Sequence, residues 1–172
     1  GILTADDPTG RIYITRSTFT GLGTCEHSAG CAHSIYIGNY GSLTVRESRF
    51  ERGTGGHYLK ARAAEVVIEG NSFDDANGRT TNYMIDLPAG SVGRIADNWF
   101  VQGRDKENYS AFIALGAEDI LHPSDGLRIE NNEARFVPGL SRQSAFLADW
   151  TGERVVMQGN RLASGIKQYE RR

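Results

Sequence analysis

Apolar and polar residues alternate in short runs along this chain, and a six-residue template closes many of the runs. The template is an aliphatic residue (Met in the last copy), two variable residues, Asn or Ser, one variable residue and an apolar residue. It occurs at 14–19, 45–50, 68–73, 95–100, 129–134 and 157–162. Alternation with a period of two is typical of β-strands, whereas helical repeats place apolar residues three and four positions apart. The pattern therefore predicts strands.

The polar position of the template recurs with a variable step. It falls at Ser17, Ser48, Asn71, Asn98, Asn132 and Asn160, which gives steps of 31, 23, 27, 34 and 28 residues. A repeat of this length holds two or three short strands joined by corners, and stacked repeats bury one elongated core. Insertions collect in the corners, which explains the variable step. We predict an all-β fold, a parallel β-helix of about six rungs over residues 11–165, in a single domain covering 1–172.

Two further columns follow from the template. The Asn and Ser residues are expected to hydrogen-bond the backbone and their stacked neighbours at one corner, a structural role rather than a catalytic one. The template phenylalanines are expected to stack inside the helix: Phe19, Phe50, Phe73 and Phe100. Residues 1–10 are predicted to be irregular and 166–172 to be a frayed tail. No amphipathic cap is evident, so we expect a piece of a longer chain, with ends able to self-associate.

Composition excludes some classes of function. Net charge is −2 and the Lys and Arg residues are scattered, so no nucleic-acid footprint is predicted. No apolar run approaches the ~18–20 residues that a membrane span requires. The chain has no initiator Met and no signal peptide, which indicates a processing or cloning boundary at its start.

Both cysteines lie in one short segment, Cys25 to His33. Three interpretations stay open at this point. The residues form a local disulfide, as in a secreted protein; they bind zinc through Cys25, His27, Cys31 and His33, although the spacing is unusual for zinc; or they are free thiols.

The strands that open each rung predict one outward column of side chains. Aligning Ile35, Leu59, Ile85, Ile113 and Leu147 as inward residues sends their neighbours outward. That outward column is Tyr36, Lys60, Asp86, Ala114 and Ala148. Arg62 lies on the same side as Lys60, and His33 and His57 begin their strands at matching places. Such a face suits an acidic polymer, and the simpler interpretation is a surface ion pair between Lys60 and Asp86.

Three segments carry a resemblance to a known group of proteins: 33–38 (HSIYIG), 56–63 (GHYLKARA) and 83–88 (YMIDLP). With the rungs, they resemble single-stranded right-handed parallel β-helix proteins of the pectate-lyase-like superfamily, close to bacterial members without an assigned activity. The resemblance implies right-handedness, a secreted, periplasmic or envelope location, and a role in cleaving or holding polysaccharide. The Asp-rich signature of the hydrolases and the Asp-Pro-His motif of the epimerases are absent.

We therefore carry two hypotheses. The first is a lyase that cleaves a uronate-containing polysaccharide by β-elimination, with Lys60 as base, Arg62 neutralising the carboxylate, and Tyr36 or His57 protonating the leaving oxygen. The expected substrate-binding residues are His33, Tyr83, Asp86, Gln102 and Asn108. Loops at 102–108 and 117–119 are expected to wall the groove, with Ca²⁺ as the one cofactor left open. The second hypothesis is a non-catalytic glycan-binding or structural module of a larger envelope protein.

Overall fold

The structure, a computed structural model, describes residues 1–26 and 30–172, and this part of the chain contains strands and no helix. Its nineteen strands, β1–β19 in chain order, form three sheets with parallel neighbours throughout. Sheet 1 contains β1 (Ile2–Leu3), β4 (Ile35–Ile37), β7 (Leu59–Ala61), β10 (Ile85–Leu87), β13 (Ala111–Leu115), β16 (Ser144–Asp149) and β19 (Ile166–Arg171). Sheet 2 contains β2 (Asp7–Thr15), β5 (Tyr40–Arg46), β8 (Glu65–Glu69), β11 (Val92–Ala96), β14 (Arg128–Glu130) and β17 (Val156–Gln158). Sheet 3 contains β3 (Thr18–Thr20), β6 (Arg49–Glu51), β9 (Ser72–Asp74), β12 (Trp99–Gln102), β15 (Glu133–Phe136) and β18 (Arg161–Leu162).

Every third strand returns to the same sheet, so each rung contributes one strand to each sheet. The prediction of an all-β parallel β-helix of about six rungs is confirmed. Pairing extends beyond the expected limits at both ends, because β1 pairs with β4 and β19 pairs with β16. Ile166 and Tyr169 pack against the core, and this burial fixes β19 as a paired strand. The expected frayed tail and irregular start were therefore wrong.

The core fills the space between the three sheets. The predicted inward column of sheet 1 is in register, and all five side chains are fully buried: Ile35, Leu59, Ile85, Ile113 and Leu147. The predicted aromatic stack is also confirmed, with ring centroids 4.9, 4.7 and 5.0 Å apart from Phe19 through Phe50 and Phe73 to Phe100.

The corner between sheets 2 and 3 has the same backbone geometry in all six rungs. The residue before each template Asn or Ser has a positive φ of 46–68°: Arg16, Glu47, Gly70, Asp97, Asn131 and Gly159. A residue in this left-handed conformation turns the chain, and the side chain of the Asn or Ser that follows it then reaches the neighbouring rung. From Ser17 to Asn132, each N–H donates to the side-chain oxygen of the next rung, at 2.9–3.2 Å. The polar column is therefore a hydrogen-bonded ladder, as predicted.

A local disulfide joins Cys25 and Cys31. It supports the first of the three interpretations and removes both thiolates from any zinc site. His27, one of the two histidines proposed as zinc ligands, lies outside the described residues.

Candidate functional site

Sheet 1 presents one outward column of side chains, and its register is the predicted one. Tyr36, Lys60 and Asp86 are paired on successive strands, and Ala114 and Ala148 continue the column. Arg62 follows β7 directly and reaches back along the sheet, where its Nε donates to the Tyr36 hydroxyl oxygen at 3.2 Å. Three successive rungs, with the strands β4, β7 and β10, thus bring a phenol, two cations and a carboxylate to one face.

Lys60 is at the centre of this face and is only 8 % exposed. Its Nζ lies 3.3 Å from Asp86 Oδ2, 2.5 Å from Glu118 Oε1 and 5.6 Å from the centre of the Tyr36 ring. Lys60 Nζ therefore faces two carboxylates, one from sheet 1 and one from a loop. The base role expected for Lys60 stays a prediction.

The second carboxylate comes from the connection between β13 and β14, residues 116–127, which we call the strap. Backbone hydrogen bonds dock the strap on the end of β10: Gly116 N–H donates to Leu87 O at 2.9 Å, and Glu118 N–H donates to Pro88 O at 3.0 Å. The Glu118 carboxylate then contacts both Lys60 Nζ and Arg62 Nη2. The strap therefore covers the cationic part of the column, on the side where a loop wall was expected.

His122 holds the far side of the strap. Its N–H donates to Ala89 O at 3.0 Å, and its ring Nε2 lies 3.1 Å from both Asn39 Oδ1 and Arg62 O. The ring bridges the strap to the segment that carries Arg62. Sequence reasoning missed this residue, since nothing local marks it.

Three aromatic rings stack along the corner beside the column. His33 and His57 have ring centroids 4.8 Å apart, and Tyr83 lies 5.5 Å from His57 at an interplanar angle of 14°. Gly56 permits the close approach, because its φ is +63° and a Cβ there would collide with Ala32 O and His33 Nδ1. The predicted neighbourhood of His33 and His57 is present, and Tyr83 joins it.

The two histidines are held neutral. Burial, followed by the charge of Lys60, lowers the pKa of His33 to about 4. Burial is also the largest cause that lowers the pKa of His57 well below 6.5, with further contributions from His33 and Lys60. His57 N–H donates to His33 Nδ1 at 2.9 Å, so neutral His33 carries its proton on Nε2. The Nδ1 of His33 thus already accepts a hydrogen bond, and neutral His33 has no other ring nitrogen that could accept a proton.

Asp86 lies between His57 and Lys60. His57 Nε2 is 3.3 Å from Asp86 Oδ2, the same oxygen that contacts Lys60. Burial raises the pKa of Asp86, and Lys60 and Arg62 oppose that shift. Asp86 Oδ1 and His57 Nδ1 are buried without a hydrogen-bond partner in the described structure. Asp86 is therefore oriented by the two side chains but carries one unsatisfied oxygen.

Two predicted substrate-binding residues do not join this face. Gln102 is fully buried at the end of β12 in sheet 3, where Arg142 Nη1 donates to its Oε1 at 3.2 Å and its Nε2 donates to Tyr109 O at 3.4 Å. Asn108 lies in the connection before β13, and its Oδ1 accepts from Ser110 N–H at 2.9 Å. Both side chains stabilise the chain locally, because their polar atoms bond the adjacent loops.

A buried ion pair lies behind the corner and was not predicted. The side chains of Asp75 and Lys106 are completely inaccessible, with Lys106 Nζ 3.2 Å from Asp75 Oδ2. Asp75 Oδ1 accepts hydrogen bonds from Tyr58 at 2.7 Å and from Thr81 at 2.8 Å. Burial lowers the pKa of Lys106 and raises that of Tyr58. The group has a structural role, linking the loops after β9 and β12.

The loop carboxylates do not converge on a calcium site. Asp105 accepts from Thr80 N–H at 3.2 Å, Glu107 accepts from Asn82 Nδ2 at 2.8 Å, and Glu118 faces the cations. Over the described residues, the only cluster of three metal-ligating side chains is Cys25, Cys31 and Glu107, and the disulfide occupies its two sulfurs. The calcium prediction thus has no converging ligand set in this part of the chain.

Surface depressions lie away from the column. One of about 460 Å³ lies over sheet 2 beside Tyr13, and another of about 410 Å³ lies between Gly23 and Asp105. Neither gathers the cations and acid–base groups of sheet 1. The chemistry of the column, with the strap lying over it, makes that face the candidate site.

The fold and this face define a class: a parallel β-helix with a charged outward column on one sheet. No protein-family model, curated protein or solved structure matches the chain at a significant level. No helix of the described residues is long and apolar enough to cross a membrane.

Proposed function

We propose that this chain binds an acidic, uronate-containing polysaccharide along the outward face of sheet 1. The observation that carries the proposal is the contact of Lys60 and Arg62 with the Glu118 carboxylate. The same two cations suit the carboxylate that a uronate sugar carries, because charge-assisted hydrogen bonds to carboxylates are strong and directional. A polymer of such sugars has a carboxylate on each residue, and one of these carboxylates can reach the Lys60–Arg62 pair. Beyond that pair the column is covered, since Asp86, Ala114 and Ala148 are buried.

The aromatic rings beside the cations support a sugar ligand. Tyr83 is partly exposed at the end of the His33–His57–Tyr83 stack, and Tyr36 lies between the stack and Arg62. Rings with an apolar face and a polar edge suit ligands that combine both kinds of surface. The Cys25–Cys31 disulfide supports an oxidising location, in agreement with a secreted or envelope protein.

The test is isothermal titration of the protein with polygalacturonate and alginate, with neutral dextran as control. Arg62→Gln should lower affinity for the acidic polymers about ten-fold or more, the effect of losing a charge-assisted hydrogen bond. The matched control is Arg46→Gln on sheet 2, which also removes an arginine paired with a glutamate. Equal losses for both variants would indicate non-specific attraction, and no binding by the wild type would refute the proposal.

A polysaccharide lyase is the second candidate, favoured by the contact between Arg62 and Tyr36. The Tyr36 oxygen accepts from Arg62, so its own proton is free for transfer to a leaving oxygen. In this candidate, Lys60 as its free amine takes the proton next to the uronate carboxylate, and Arg62 stabilises the enediolate that forms. The C–O bond to the leaving sugar then breaks, and Tyr36 gives its proton to the leaving oxygen. Binding stands ahead of cleavage, because Lys60 Nζ is already engaged by two carboxylates and His33 Nδ1 already accepts a hydrogen bond.

Cleavage is tested by the ultraviolet absorbance of the unsaturated sugar that β-elimination produces. A rise with the wild type that is lost in Tyr36→Phe would establish a lyase with Tyr36 in proton transfer. A flat trace with a polymer that binds would leave a non-catalytic glycan-binding module.

A further inference from the structure

The carboxylate site on sheet 1 is already filled by a group of the chain itself. Each Glu118 oxygen contacts a different cation, Oε1 with Lys60 and Oε2 with Arg62. Lys60 is enclosed elsewhere by Asp86 and the Tyr36 ring, which leaves the side occupied by Glu118 as the approach for another carboxylate. An external carboxylate and Glu118 therefore compete for one position.

We infer that Glu118 is a built-in competitor that sets the specificity of this site, and that a uronate carboxylate binds by displacing it from Lys60 and Arg62. This inference rests on the proposed function. A neutral sugar that displaced Glu118 would leave two cations facing only Asp86, and this cost selects against neutral polymers. A ligand carboxylate restores both contacts as Glu118 leaves.

Displacement needs a side-chain rotation and not an opening of the strap. The strap is docked by backbone hydrogen bonds to residues 87–89, and these do not involve the Glu118 carboxylate. The Glu118 side chain is 41 % exposed, so it has solvent into which it can turn. Glu118 is the exposed partner of these contacts, whereas Lys60 and Arg62 are mostly buried. The competition is expected to lower ligand affinity about five-fold.

The site also differs from an ordinary surface ion pair in its second cation. Arg62 is held by the Tyr36 hydroxyl through Nε, so its Nη2 is directed at the carboxylate even when Glu118 turns away. Lys60 is likewise held by Asp86. Both cations are thus positioned before a ligand arrives, which limits the entropic cost of binding.

The experiment compares Glu118→Gln with Asp119→Asn in titrations with polygalacturonate. Both variants remove one negative charge from the strap, and Asp119 is exposed at the neighbouring position. Glu118→Gln should bind about five-fold more tightly than the wild type. Asp119→Asn should stay within about two-fold, because it removes the same charge but leaves the contacts of Glu118 with Lys60 and Arg62 in place. Thermal unfolding of each variant checks that the strap still packs.

Each outcome separates the inference from the proposed function. If the wild type binds and Glu118→Gln binds equally or more weakly, Glu118 is no competitor, and the inference fails while the proposed function stands. If both variants gain affinity equally, general charge explains the gain, which also overturns the inference. If neither the wild type nor Glu118→Gln binds any acidic polymer, the proposed function itself is overturned.

Discussion

Replacing Asn98 with alanine tests the hydrogen-bonded ladder that supports every rung. The Asn98 side chain is 2 % exposed and makes four hydrogen bonds. Its Nδ2 donates to Ile68 O at 2.8 Å and Asn132 Oδ1 at 3.0 Å. Its Oδ1 accepts from the N–H and the Nδ2 of Asn71, at 2.9 and 3.0 Å. Asn98→Ala removes all four.

The expected loss of stability follows from the groups left behind. The buried Asn71 N–H loses its acceptor, at a cost of about 1–3 kcal/mol, and Ile68 O loses a side-chain donor worth about 1 kcal/mol. We therefore expect the free energy of unfolding to fall by about 2–4 kcal/mol. That is a large part of the roughly 5–15 kcal/mol that stabilises a typical domain.

The assay is equilibrium urea unfolding followed by circular dichroism and tryptophan fluorescence, and coincident transitions indicate two-state behaviour. Asn160→Ala is the matched control, since Asn160 has the same position in the last rung but is half-buried. Water can replace its bonds, so the expected loss is about 1 kcal/mol or less. A loss for Asn98→Ala no larger than that for Asn160→Ala would refute the reasoning.

Three further predictions concern charge. Asp75→Asn or Lys106→Met alone should lower the free energy of unfolding by about 3–5 kcal/mol, because each leaves a buried charge unpaired. The double variant should lose less than the sum of the two single losses, and additive losses in calorimetry would contradict this. The pKa of His33 falls from 6.5 to about 4 on folding, so between these pH values the unfolded chain binds more protons than the folded one, and the free energy of unfolding should fall as pH drops through that window. His33→Asn should show a smaller fall, and a pH profile identical to that of the wild type would contradict this prediction. Binding of polygalacturonate should weaken as salt rises, because exposed charges are screened, and salt-independent binding would exclude the ionic contacts of Arg62.

The rungs and the outward column could be predicted because their signals are local and repeated. Period-two alternation fixes which side chains face outward, and the template fixes the register, so Tyr36, Lys60 and Asp86 align on adjacent strands. Burial of each inward column then enforces that register, since a slip of one residue would expose it.

A wall formed by 117–119 was expected, but the contact of Glu118 with Lys60 could not be predicted, because Glu118 is 58 residues from Lys60 in the sequence. Only the 34-residue step from Asn98 to Asn132, the longest in the chain, signals an insertion there. Asp75 likewise belongs to an ordinary turn sequence, and its burial depends on Lys106 arriving from another rung. Both features depend on how the connections between strands pack against neighbouring rungs, and the alternation of apolar and polar residues within the strands carries no information on that packing.

The most direct test of the central claim is the location of the ligand on the protein. Amide chemical shifts of the ¹⁵N-labelled chain would be followed during titration with an oligogalacturonate. The account predicts that the largest changes occur at Tyr36, Lys60, Arg62 and Glu118, with little change on sheets 2 and 3. Changes centred on the depression beside Tyr13, or none at saturating ligand, would contradict it.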